Sequence, residues 1–203
     1  FGGNRVRKLE EEELEEWSSS GAMDEMALGN PVDFSTDIGP VIDSDALSSL
    51  KQYLDRQRVR HRATCPETGF FIPPTLVELE SGTHIDGERF GPILHVVRFE
   101  AGDLEHIIED INALGYGLTF GVHSRIESTI AHAMRRIRVG NRYINRSMIG
   151  AVVGVQPFGG EALSGTGPKA GGPHYIYRFA TERTTTRNLV ATGGNPALLN
   201  LPE

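Results

Sequence analysis

The sequence predicts an α/β fold in which helices cover both faces of a mostly parallel sheet. Three observations predict it. Segments with the apolar density of strands alternate with segments whose apolar residues recur at intervals of three and four, and this alternation is the mark of βαβ units. The alternation persists through most of the chain. The 203 residues, 38% of them apolar, also suffice for one sizeable core.

The elements follow in order. "DALSSLKQYLDRQRVRH" sets Leu47, Leu50, Tyr53 and Leu54 on one stripe, predicting an amphipathic helix capped near Ser44. "FFIPPTLVEL" reads as a strand whose early part Pro73 and Pro74 push to a sheet edge or an extended lead-in. "PILHVVRF" is a strand rich in β-branched residues. "DLEHIIEDINAL" spaces Leu104, Ile107, Ile108, Ile111 and Leu114 at three and four, the clearest helix, with Asp103 as its N-cap. "LTFGVHS" is a strand, "IESTIAHAMRRI" a helix with Ile126, Ile130, Met134 and Ile137 inward, and "NRYINR" a strand. The threonine-rich "RFATERTTTRNLV" predicts an edge strand suited to pairing with a second subunit. Residues 1–20 stand apart as an acidic segment with six glutamates between Glu10 and Glu16, residues 21–180 form the domain, and residues 181–203 a strand and tail.

Composition narrows the function. With 20 basic against 27 acidic side chains the formal charge is −7, which argues against binding nucleic acid through its phosphates. No apolar run reaches the roughly 20 residues that span a bilayer, and no signal-peptide layout opens the chain, so a cytoplasmic location is expected. Cys65 is the one cysteine, and it lies in "ATCPETGFF" with no histidine or glycine elbow to activate it; an unreactive thiol is expected. The seven histidines show no metal-ligand spacing, so no metal is expected.

One stretch calls for an explanation of its own. "GAVVGVQPFGGEALSGTGPKAGG", from Gly150 to Gly172, holds a third of the chain's 24 glycines. Gly160 and Gly165 have the separation of a phosphate-binding loop, but Thr166 stands where lysine is required. The dinucleotide fingerprint fails as well, because Ala170 follows Gly165 and Gly167 where a third glycine is needed. What remains is backbone N–H groups left open by small residues, able to bind an anion such as a carboxylate, or else a loop whose glycines serve only tight packing.

"YINRSMIGAVVGVQPFGGEALSGTGPKAGGP", together with "GFFIPPTLVEL", "GERFGPILHVVRF" and "YGLTFGVHSRI", resembles the second half of an aldehyde dehydrogenase catalytic domain. More narrowly it resembles the L-glutamate γ-semialdehyde (pyrroline-5-carboxylate) dehydrogenase module of bifunctional proline utilisation proteins, over roughly Gly21 to Leu201. The resemblance implies a three-layer, mostly parallel sheet with a C-terminal oligomerisation strand, NAD as cofactor, glutamate semialdehyde as substrate and a homo-oligomer. It implies that Glu88 holds the nicotinamide ribose hydroxyls and that Phe90 borders the nicotinamide. Gly150 and Ala151 match the loop whose amides bind the substrate α-carboxylate, and Phe158 matches an aromatic wall beside its aliphatic stem.

The family's nucleophilic cysteine, its general-base glutamate and its Rossmann half have no counterpart in this chain. "FGGNRVRKLEEEELEEW" lies where the cysteine segment belongs, so no catalytic residue is assigned and the isolated chain is expected to be inactive. The alternative is a non-catalytic assembly module on the same scaffold.

Overall fold

The computed structural model of the chain describes residues 21–81, 85 and 87–188. The acidic segment, His84 and the tail beyond residue 188 lie outside the described residues.

Helix α1 (Ser44–Leu54) presents Leu50, Tyr53 and Leu54 to the core. Its N-cap is Asp43 rather than Ser44, and the Asp43 carboxylate accepts from the Ala46 amide at 2.7 Å. The helix also ends earlier than its apolar stripe suggests. Arg58–Arg62 leaves it to form strand β1, because Val59 and His61 alternate with arginines, a period of two that suits an exposed edge.

Strand β2 (Thr75–Leu79) starts directly after Pro74, where no proline interrupts the ladder. It is the middle strand of a three-stranded sheet, antiparallel to β1 and parallel to β3 (Ile93–Val97). Its alternation divides the core. Val77 and Leu79 join Leu50, Tyr53, Leu54, Ile72, Val97 and Ile107 on the α1 face, while Leu76 and Val96 pack with Met23 and Leu94 in a separate cluster.

A 3-10 turn (Ala101–Asp103) leads into α2 (Leu104–Ala113); Asp103 stands at the N-cap, but its side chain makes no capping hydrogen bond. Short strand β4 (Tyr116–Gly117) and strand β5 (Thr119–Val122) follow, then α3 (Glu127–Arg136) and β6 (Asn141–Ile144), which runs parallel to β5. Ile108 of α2 meets Ala133, Ile137 and Val139 in a second core cluster. Ile126 is exposed at the α3 N-cap instead of inward, and Ala133 takes a place the stripe had given to Met134, which is half-buried.

Two further expectations are not met among the described residues. The pairings are mixed rather than mostly parallel, with three small sheets among the described residues: β1-β2-β3, β5-β6, and β4 antiparallel to β7 (Glu161–Ala162). Residues 181–188 are exposed and carry no strand pairing, since an edge strand needs a neighbour to supply its ladder.

Candidate functional site

The glycine-rich segment grows out of the end of β6. Asn145 stops that strand with φ 53°, a left-handed conformation that asparagine tolerates, and its side chain bridges to Ser124, just beyond β5. Its Oδ1 accepts from the Ser124 amide at 2.9 Å and its Nδ2 donates to the Ser124 carbonyl at 3.0 Å. The loop that follows therefore leaves from a fixed point.

Within that loop the amides sort into two kinds. The Ile149 amide donates to Ser147 Oγ at 3.2 Å, and the Val152 amide donates to Gln156 Oε1 at 3.1 Å. Between them, the amides of Gly150 and Ala151 donate to nothing among the described residues. Gly150 has φ 73°, and a Cβ built on it would meet no atom within 4 Å. That combination leaves two adjacent donors without a partner among the described residues and no side chain at Gly150 to shield them, a geometry suited to an anion.

Phe158 is half-buried and paired through both backbone groups with Ala170, its amide donating at 3.0 Å and its carbonyl accepting at 2.9 Å. Buried Asn141 at the start of β6 grips the chain on either side of it. Its Nδ2 donates to the Pro157 carbonyl at 3.0 Å, and its Oδ1 accepts from the Gly159 amide at 3.2 Å and from Lys169 Nζ at 3.2 Å. Gly140 is required here, because a Cβ on it would stand 1.9 Å from the Gly159 carbonyl oxygen.

Glu88 and Phe90 lie in the stretch that feeds β3. The Glu88 amide donates to the Tyr116 hydroxyl at 3.3 Å, and its exposed carboxylate has no ion-pair partner among the described residues. Phe90 is 76% exposed, which excludes it from the core. Strand β4 links the two halves of the candidate site: Tyr116 holds Glu88 and also pairs with Ala162 of the glycine-rich segment. No hydrogen bond runs directly from Glu88 or Phe90 to Gly150, Ala151 or Phe158 among the described residues. Tyr116, Asn141, Asn145 and Gln156 were not singled out by sequence; an asparagine opening a strand and one closing it were the only available signals.

A separate depression of about 410 Å³ lies at the β1-β2-β3 sheet, lined by Gln57, Arg58, Glu78, Leu79, Glu80 and Arg98. Here Glu78 meets Arg60, Arg58 at 3.4 Å and Arg98 at 3.1 Å. The Arg60 hydrogen bond, reinforced by the Arg60, Arg58 and Arg98 charges, holds the Glu78 carboxyl below the usual range against the opposing effect of burial. None of the five sequence-assigned site residues lines it. Cys65 is exposed, and no group of three or more His, Cys, Asp or Glu among the described residues is placed to hold a metal.

A glycine-rich loop carrying two adjacent amides with no partner among the described residues is consistent with the class of protein the sequence resembles. The profile of the aldehyde dehydrogenase family matches residues 17–185, and the chain belongs to that family. It is 50% identical over 175 residues to the bifunctional protein PutA of Klebsiella aerogenes, covering 80% of this chain and 13% of that one. The crystal structure of a Bradyrhizobium japonicum Proline Utilization A (PutA) mutant superposes with a TM-score of 0.82 at 48% identity, over 92% of this chain and 20% of that one. A 1-pyrroline-5-carboxylate dehydrogenase from Thermus with bound NAD superposes at 0.67 with 35% identity, over 77% of this chain and 31% of that one. The chain thus spans about an eighth of the length of the PutA relative it matches.

Proposed function

We propose that this chain is part of an NAD-dependent L-glutamate γ-semialdehyde dehydrogenase of proline catabolism, acting in the cytoplasm, to which it contributes the substrate-carboxylate anchor and one end of the cofactor site. The observation that carries the proposal is the pair of undonated amides at Gly150 and Ala151. Charged acceptors take backbone donors strongly, and with no side chain in the way the carboxylate can approach the main chain itself. Phe158 packs beside the aliphatic stem of the substrate, its backbone held by Ala170 and its flanks by Asn141.

Glu88 and Phe90 fit the nicotinamide end of a dinucleotide. The carboxylate, with no ion-pair partner among the described residues, accepts from two ribose hydroxyls, and the exposed ring offers an apolar face to the nicotinamide. NAD supplies the hydride acceptor when bound. The rest of the dinucleotide site, the nucleophile and the general base are not supplied by this chain, which by itself is inactive. In the assembled module the strands described here join a three-layer, mostly parallel sheet, and residues from Thr181 onward form the strand that joins two copies. That assembly also covers surface that now stands open, Val153 at 96% exposure included.

Two experiments test this. In the whole module, Gly150→Val at φ 73° strains the loop and blocks the approach. It raises KM for glutamate semialdehyde by about tenfold or more, while an aliphatic aldehyde lacking the α-carboxylate is turned over as before; an equal loss on both substrates contradicts the anchor. The isolated chain, given NAD and the semialdehyde, produces no NADH. Steady NADH production abolished by alkylating Cys65 contradicts the assignment.

A further inference from the structure

The stretch carrying Glu88 and Phe90 alternates outward and inward: both of these side chains are exposed, and Arg89 between them is partly buried. Arg89 turns back onto the core, where its guanidinium lies 4.6 Å from the centre of the Tyr53 ring on α1. The ring is itself fixed. The Tyr53 hydroxyl shares a 2.7 Å hydrogen bond with Nε2 of His95 on β3, both residues are buried, and the two rings meet edge to face at 5.8 Å. One residue further on, a Cβ at Gly91 would approach Leu50 Cδ1 to 2.9 Å, so the backbone lies flush against α1. On the other side the Glu88 amide is held by Tyr116.

We propose that Tyr53 and Arg89 are positioning residues for the nicotinamide contact, with His95 locking Tyr53 as the seat on which Arg89 pins the Glu88–Phe90 stretch. This rests on the reading of Glu88 and Phe90 as cofactor contacts. The physical logic is that a carboxylate on an irregular stretch fixes a ribose only if its backbone cannot roll about its own axis. An inward arginine over a fixed ring stops that roll, and it sets the residues before and after it outward together. Helix α1 thereby acts on the cofactor site without touching it.

The test uses the whole module and titrates NAD by calorimetry beside steady-state kinetics. Arg89→Met keeps the aliphatic stem and removes the cation; it weakens NAD binding about fivefold and raises KM for NAD in parallel, with KM for the aldehyde unchanged. Arg89→Lys restores binding. Tyr53→Leu gives the same loss, and the double variant is no worse than either single one, because each removes the same contact. Glu88→Gln separates the two claims: if it leaves NAD affinity unchanged, the cofactor reading of Glu88 fails. If Glu88→Gln weakens NAD but Arg89→Met does not, or if the Arg89→Met and Tyr53→Leu losses add, the positioning role is overturned while the cofactor reading stands.

Discussion

At Glu78 three guanidinium groups converge on one carboxylate whose side chain is 10% exposed. Because its folded pKa is depressed, chiefly by the Arg60 hydrogen bond, its contribution to stability is fully present above the unfolded carboxyl range and is lost as pH falls through the lower, folded value. Glu78→Gln should therefore cost about 1 kcal/mol at pH 7, the arginine partners being substantially solvated, and the cost should shrink as the pH falls below the ordinary carboxyl range toward the lower, folded value. Urea titrations at neutral and at acid pH check this; a cost that does not change with pH contradicts it. The arrangement was not legible in advance. A lone glutamate in a strand carries no sequence signal, and only the antiparallel return of β1 brings Arg58 and Arg60 beside it. Gly150 and Ala151, by contrast, are proposed on the resemblance, and the geometry supports the proposal: the neighbouring amides of Ile149 and Val152 have partners, while theirs have none among the described residues.

Elements were legible where burial is one-sided. The α2 stripe fell as expected, with Ile107 and Ile108 buried and Leu104, Ile111 and Leu114 packed beside them, because a helix against a core keeps a strict period. The stripe of α1 did not reveal its end. Leu54 closes the helix, and the arginine-rich β1 follows within four residues, a strand that tertiary pairing imposes on a sequence able to continue as helix. The mixed pairings escaped for a related reason: β4 and β7 are two residues each, too short for any period to be seen. Their packing is nevertheless strict. Gly140→Ala places a methyl carbon where the Gly159 carbonyl oxygen lies, at 1.9 Å, and should destabilise the protein by about 3 kcal/mol or more. Thermal unfolding monitored by circular dichroism checks it; an unchanged midpoint contradicts the close approach of β6 to the glycine segment.

For the molecule as a whole, the described surface exposes large apolar side chains close together in sequence. Ile176, Tyr177 and Phe179 are exposed on one 3-10 segment, and the exposed residues 181–188 follow directly. Surfaces of this kind are covered in a stable protein, by the rest of a domain or by a second copy. The isolated chain should self-associate, and deletion of Thr181 to Val190 should reduce the associated mass in light scattering behind size exclusion; a stable monomer before deletion contradicts both the partial-domain reading and the oligomerisation strand. Among the described residues no helix is long and apolar enough to cross a membrane.

The central claim is that bare main chain, not a basic side chain, receives the substrate's charge, and a crystal structure of the whole module with L-glutamate, the product of the proposed reaction, tests it most directly. The account expects the α-carboxylate oxygens within about 3 Å of the Gly150 and Ala151 nitrogens, with the stem of glutamate against Phe158. A carboxylate bound instead by an arginine or lysine, with those two amides still unengaged, would contradict it.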